Sequence, residues 1–223
     1  MQFDLTILGF GVIGVETLDA LVSKINKKQK IRVAIIEKNI NNIPGGVAYS
    51  KKNSKFGYFN NPLRLSHPFF KSWIKKKQNI NRIVNFAKNN TSYQLVDWLK
   101  DNSNNLMRKN MLDEIYFPRL VYSFYLKDKI VKIIELLKKT KIKIFYFNGE
   151  LDKLNFKSED LILKAKSNFR SFGIDGKDDL LKISSTRKKL KFLKSKKIII
   201  GNGLLPPKKI NGTNTIFDKN YIW

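Results

Sequence analysis

The sequence predicts an α/β fold, and three observations carry that prediction. An apolar run over residues 4–8 stops at a glycine. From residue 12 the apolar spacing changes to that of a helix. A second, β-branched run over residues 31–36 then closes on Glu37. Strand, glycine-rich turn, helix and strand make one βαβ unit, whose crossover is right-handed.

Each element has its own signal. Residues 4–8 are mostly apolar and bounded by Gly9, as expected of a buried parallel strand. Val15, Leu18, Val22 and Ile25 fall at i, i+3, i+7 and i+10, one face of a helix over residues 12–25. Glu16 and Asp19 stand early in that helix and Lys24, Lys27 and Lys28 late, each on the side the helix dipole favours. Residues 38–90 show no clear period and are punctuated by Gly, Pro and Asn; so long an irregular stretch is functional or disordered. A helix weakened by asparagine is predicted over 93–107. A stronger one follows over 118–139, with Leu126, Ile130, Ile133, Ile134 and Leu137 in a stripe and Pro118 in the first turn. A third strand is predicted over 141–147. Segments near 149–155, 160–166, 179–184 and 189–193 read as a β-meander, and 197–200 as a last buried strand ending at Gly201-Asn202-Gly203.

Composition narrows the chemistry. With 44 Lys and Arg against 18 Asp and Glu, the formal charge is +26, which attracts anionic ligands. The lysines are spread along the whole chain rather than clustered with stacking aromatics, so nucleic acid is not expected as a partner despite the basic charge. No cysteine is present, which excludes disulfides, thiolate nucleophiles and Cys-type metal sites. The single histidine, His67, cannot make a His-rich metal site, and no metal is expected. No apolar run approaches the roughly 20 residues that span a bilayer. The start of the chain reads as a strand rather than a signal peptide, so the expected location is the cytoplasm, with no membrane partner.

One motif carries chemistry. Gly9-Phe10-Gly11-Val12-Ile13-Gly14 matches Gly-x-Gly-x-x-Gly. It follows a predicted strand, opens a predicted helix, and precedes an acid at the end of the second strand, as the dinucleotide-binding fingerprint requires. Gly9 permits the tight turn. Gly11 lets the backbone approach a diphosphate, and Gly14 lets helix and strand pack closely. Free N–H groups of the first helical turn meet the phosphates. Glu37 accepts from a ribose diol and repels a 2′-phosphate, which argues against NADP here. The alternative is a glycine-rich turn that holds no cofactor. Leu18 stands where the stricter fingerprint has a small residue, which weakens any specific case for NAD. The motif alone does not separate FAD from NAD. A β-meander followed by a strand that returns to a glycine turn favours a Rossmann-like FAD-binding domain: parallel sheet, β-meander and helical insertion.

Five stretches then resemble the FAD/NAD(P)-binding proteins grouped with flavin-dependent urate hydroxylases and aspartate N-monooxygenases. They are Ile7-Leu8 with the glycine turn; Gly45-Gly46-Val47-Ala48-Tyr49-Ser50; Asn60-Asn61-Pro62 with Ser66; Asp97-Trp98-Leu99 before Phe117-Pro118-Arg119 and Tyr122-Ser123-Phe124-Tyr125-Leu126; and Ile200-Gly201-Asn202-Gly203 with Pro206-Pro207. Ser123 departs from the family's glycine, and Gly201-Asn202 from its Ala-Thr. The resemblance implies FAD held by Gly9, Gly11, Gly14 and Glu37, with Phe10, Ile13 and Lys38 beside them. It implies that the 45–66 loop, with Gly46, Asn60 and Ser66, lies near the flavin, that Arg119 borders the cofactor, and that Gly203 closes the return to it. A surface salt bridge is the equal alternative for Arg119, and core packing the favoured one for Tyr49, Trp98 and Tyr125. His67 is read as an exposed loop histidine before a proline rather than a flavin neighbour, and no catalytic residue is nominated.

The expected organisation is one FAD/NAD(P)-binding domain over 1–223. A βαβ unit covers 1–40, a loop and helical insertion 41–140, and the β-meander with its return strand 141–205. Family members continue further, to a second nucleotide site, and the chain holds no second Gly-x-Gly-x-x-Gly. It is therefore expected to stop before that second domain, as a fragment, half of a split gene, or a degenerate member. The expected function is an FAD-dependent, monooxygenase-like oxidoreductase acting on a small molecule, with NAD(P)H as candidate electron donor and a partner chain as candidate source of the missing domain. The alternative is a non-catalytic nucleotide-binding module.

Overall fold

A computed structural model of the chain describes residues 1–26, 28–49, 57–89, 93–108, 111–157, 160–177 and 180–201. The chain divides into two compact units, one built from residues 1–48 and 126 onward, the other from Tyr49–Tyr125.

The first unit is mixed α/β. Strand β1 (Gln2–Leu8) lies between β2 (Ile31–Glu37) and the end of β6 (Leu180–Ile200), parallel to both, and β2 is parallel to β3 (Ile142–Asn148). Strand β5 (Asp160–Lys177) runs antiparallel to β6 on one side and to β4 (Leu151–Lys157) on the other, giving the order β3-β2-β1-β6-β5-β4. Residues 170–172 of β5 also pair antiparallel with 146–148 of β3, so β1, β2, β3, β5 and β6 close into a ring. Of the short segments expected from the sequence, the one near 149–155 is β4, a separate short strand, whereas those near 160–166, 179–184, 189–193 and 197–200 are stretches of two long strands, of 18 and 21 residues. Register shifts between Lys164 and Phe169 and between Arg170 and Phe172 bend the pair, and such irregularities let a ribbon curl.

The ring has a sorted interior. Leu8, Ala34, Ile36 and Phe147 from the parallel strands pack against Leu161, Leu163, Phe169 and Leu193 of β5 and β6. Strand alternation turns Ile7, Val33 and Ile35, all fully buried, to the opposite face. Helix α1 (Val12–Lys24) buries Val15, Leu18 and Val22, the stripe read from the sequence. Its first turn contains no acid. Glu16 and Asp19 lie beyond that turn, and both pair with Lys129 of helix α6 (Arg119–Leu137), Asp19 at 3.0 Å. Their role here is cross-helix pairing rather than service to the dipole.

The second unit is helical and aromatic. It contains α3 (Pro68–Ile74), α4 (Lys77–Lys88) and α5 (Tyr93–Leu106); the short α2 (Gly46–Tyr49) precedes them. Helices α3 and α4 fall in the stretch where no period was expected. Phe70 is fully buried, within 4.9–6.1 Å (ring centroids) of Phe59, Trp73, Tyr122 and Tyr125. Trp98 is buried against Phe117 and donates through Nε1 to the Tyr116 carbonyl at 2.9 Å. Trp98 and Tyr125 are thus core residues; Tyr49 is half-buried against Phe59 and Tyr122. Among the described residues no helix is long and apolar enough to cross a membrane, and no group of three or more His, Asp or Glu could hold a metal ion.

Candidate functional site

The site is built where β1 gives way to α1. Gly9 has φ of 89°, in the left-handed region that side chains resist, and its N–H donates to the Ile36 carbonyl at 2.8 Å. The chain thus turns off β1 while still tied to β2. Helix α1 starts at Val12 with Gly11 at its cap and no side chain capping it. The first intrahelical bond runs from Val15 N–H to the Gly11 carbonyl at 3.0 Å. The N–H groups ahead of Val15 are the orphans of every helix start, and together with the dipole they favour an anion.

Space explains two glycines. A Cβ on Gly14 would stand 2.2 Å from the Gly9 carbonyl oxygen, so the turn closes only around a glycine. A Cβ on Gly11 would stand 3.3 Å from Gly46 Cα and 3.4 Å from Gly46 N. The side-chain-free edge of Gly11 therefore faces the backbone of Gly46, itself at φ 65°, and that contact accounts for this glycine without invoking a ligand. Gly46 is thereby brought to the turn.

Glu37 is 8% exposed, a buried acid at the end of β2. Its Oε2 accepts from Phe10 N–H at 2.8 Å and its Oε1 from Asn39 N–H at 2.9 Å. An ionised carboxylate offers about four lone-pair positions, so each oxygen keeps one for a further donor such as a ribose hydroxyl. These bonds hold the acid beside the turn. Lys38, next to it, is exposed and pairs with Glu150 at 2.9 Å. That contact, with Lys166 behind it, holds the Glu150 carboxyl below its ordinary range.

Two further features gain their contacts in the fold: Gly201, expected only as the end of the last strand, and Asn148-Gly149, which were not singled out in the sequence. Gly201, at the end of β6, donates its N–H to the Leu8 carbonyl at 2.7 Å, and a Cβ there would stand 3.2 Å from the Ile13 side chain. Asn148 and Gly149, at the end of β3, bond to the Glu37 carbonyl. The signals were present: an Asn-Gly pair closing a predicted strand, and a glycine closing the last one. Around the turn Ile13, Val47 and Ile200 are 50%, 66% and 60% exposed, an apolar rim to the uncapped helix end.

The remaining expected residues lie in the second unit. Arg119, half-buried, donates from Nε to the Tyr58 carbonyl at 3.0 Å and from Nη2 to Asn60 Oδ1 at 3.1 Å. Its partners are thus a carbonyl and an amide. Ser66 follows a short 3₁₀ turn over Leu63–Leu65 and shares no bond with that pair. His67 is exposed and caps α3, its Nδ1 accepting from Phe69 N–H at 3.4 Å. Gly203, Asn202 and Pro206-Pro207 lie outside the described residues. A cavity of about 410 Å³ opens between β3 and the β5–β6 pair, lined by Phe145, Tyr146, Phe172 and Thr186 among others; none of the expected site residues lines it.

A family model described as FAD-NAD(P)-binding matches residues 6–172, well over half of the chain. No curated protein matches it.

Proposed function

The chain belongs to the FAD-NAD(P)-binding family, and from that premise we propose that it holds FAD in a Rossmann-like domain and serves a flavin-dependent, monooxygenase-like oxidation of a small molecule. The observation that carries the reading is the pairing of an uncapped α1 start with the buried Glu37 carboxylate across the same turn. One end offers N–H groups to a diphosphate; the other offers lone pairs to a sugar. Gly9, Gly11 and Gly14 shape the turn, Phe10 and Asn39 orient the acid through their N–H groups, and Gly46 and Ile13 border the opening. Asn60 and Arg119 form a second polar pair, which we assign to the cofactor on the family resemblance. FAD supplies the electron chemistry when bound; the protein's share is placement, electrostatics and exclusion of water.

A second reading is a nucleotide-binding module without turnover of its own, supported by a turn whose groups can bind a nucleotide while no catalytic residue is nominated beside it. One experiment separates them. The purified chain, loaded with FAD and desalted, is expected to retain flavin absorbance. A chain that stays colourless contradicts the cofactor proposal. Reduction of the bound flavin by NADH or NADPH supports the oxidoreductase; binding without reduction supports the module.

A further inference from the structure

We infer that Asn148 is a positioning residue for the ribose-facing carboxylate of Glu37, an inference that rests on the cofactor reading above. The parallel register of β2 and β3 sets Glu37 directly beside Asn148, the last paired residues of both strands. Beyond this point the ladder ends, and the carbonyls of Glu37 and Lys38 need donors from elsewhere. Asn148 Nδ2 supplies both, at 3.0 Å to Glu37 O and 2.9 Å to Lys38 O. Gly149 N–H adds a second bond to Glu37 O at 3.1 Å.

The clamp is itself anchored. A Cβ on Gly149 would stand 2.9 Å from Phe169 Cδ1 and 3.1 Å from the Asn168 carbonyl, so β5 fixes the turn that carries Asn148. Glu37 is thus held from two sides: its peptide from β3, its carboxylate by Phe10 and Asn39. A carboxylate restrained at both ends keeps its remaining lone pairs in one direction, which is what selective recognition of a diol needs. A bland role exists for Asn148, because its amide satisfies two carbonyls at the end of the ladder whatever the ligand. The bland role predicts a loss of stability with no change in ligand preference.

The test uses that difference. Wild-type protein is titrated with FAD, ADP and 2′-deoxy-ADP, alongside Asn148→Ala and the milder Asn148→Ser. Wild type is expected to prefer ADP over 2′-deoxy-ADP about tenfold, the size of one hydrogen bond to a charged group. In Asn148→Ala that preference should fall to about two- to threefold, with Asn148→Ser between. If Asn148→Ala does not fold, Asn148→Ser decides alone. A folded variant that keeps the wild-type preference overturns the inference and leaves the cofactor reading intact. A wild-type protein that binds neither FAD nor ADP overturns both.

Discussion

The turn over residues 9–14 and the helical unit Tyr49–Tyr125 are held by opposite means. In the turn, Gly14 allows nothing where a Cβ would go, and Gly11 leaves 3.3 Å to another backbone. In the helical unit, Phe59, Phe70, Trp73, Tyr122 and Tyr125 fill the interior ring against ring. On the proposed reading, a fault in the first place costs ligand binding, because the orphan N–H groups lose their aim. A fault in the second costs folding, because buried aromatic surface is lost.

The largest effect that separates the two is Phe70→Ala. Phe70 is fully buried, and truncating such a residue costs about 3–5 kcal/mol. Denaturant unfolding should register that loss. An unchanged midpoint would show that the aromatic cluster does not hold the unit. Gly14→Ala comes next. Its Cβ cannot coexist with the Gly9 carbonyl at 2.2 Å, so the turn must open. FAD affinity should fall by about 100-fold or more, near 2.7 kcal/mol, with the helical circular dichroism retained. Binding at wild-type strength would place the cofactor elsewhere.

How far the sequence reveals each region follows the same division. The opening βαβ unit was legible because strand and helix periods change at a glycine, and the acid arrives at the expected offset. Helices α3 and α4 were not. Helix α4 does carry Ile80, Ile83, Val84 and Ala87 at helical spacing, but lysine and asparagine crowd the positions between them and dilute the signal. The long β5–β6 pair was read as short pieces because its register shifts and polar interruptions break the alternation. At the turn, Gly9 and Gly14 were legible because local backbone geometry demands them, and Glu37 because an acid closes the second strand at the expected offset. Asn148 and Gly201 stand visibly at strand ends in the sequence, but their partners lie on parallel strands more than a hundred residues away, and no local pattern names those partners. The same limit applies to Gly11, whose space is taken by Gly46.

Smaller effects sharpen the picture of the acid. Glu37→Gln replaces one acceptor oxygen with an amide that faces either Phe10 N–H or Asn39 N–H, donor against donor. A buried group left unpaired costs about 1–3 kcal/mol of stability, and the lost charge-assisted bond to the ribose should lower FAD affinity on the order of tenfold. An unchanged affinity in calorimetry would remove Glu37 from the site. The smallest effect lies away from it. Asp4 is held below its ordinary value of 3.8 by the Arg32 N–H and by Lys196. A depressed carboxylate adds stability that is fully present above that ordinary value and fades as pH falls through the lower folded one. The melting temperatures of wild type and Asp4→Asn should therefore differ at pH 7 and converge below about pH 4. A gap that persists at low pH would assign the difference to something other than this charge.

The central claim is a contact between peptide N–H groups and phosphates at one turn. Amide chemical shifts of the labelled protein, recorded while FAD is added, test it most directly. The largest changes should fall on Gly11 to Gly14 and on Phe10 and Asn39, whose N–H groups share the Glu37 carboxylate. Saturable binding that leaves those amides unmoved, with its changes gathered elsewhere, would contradict the account.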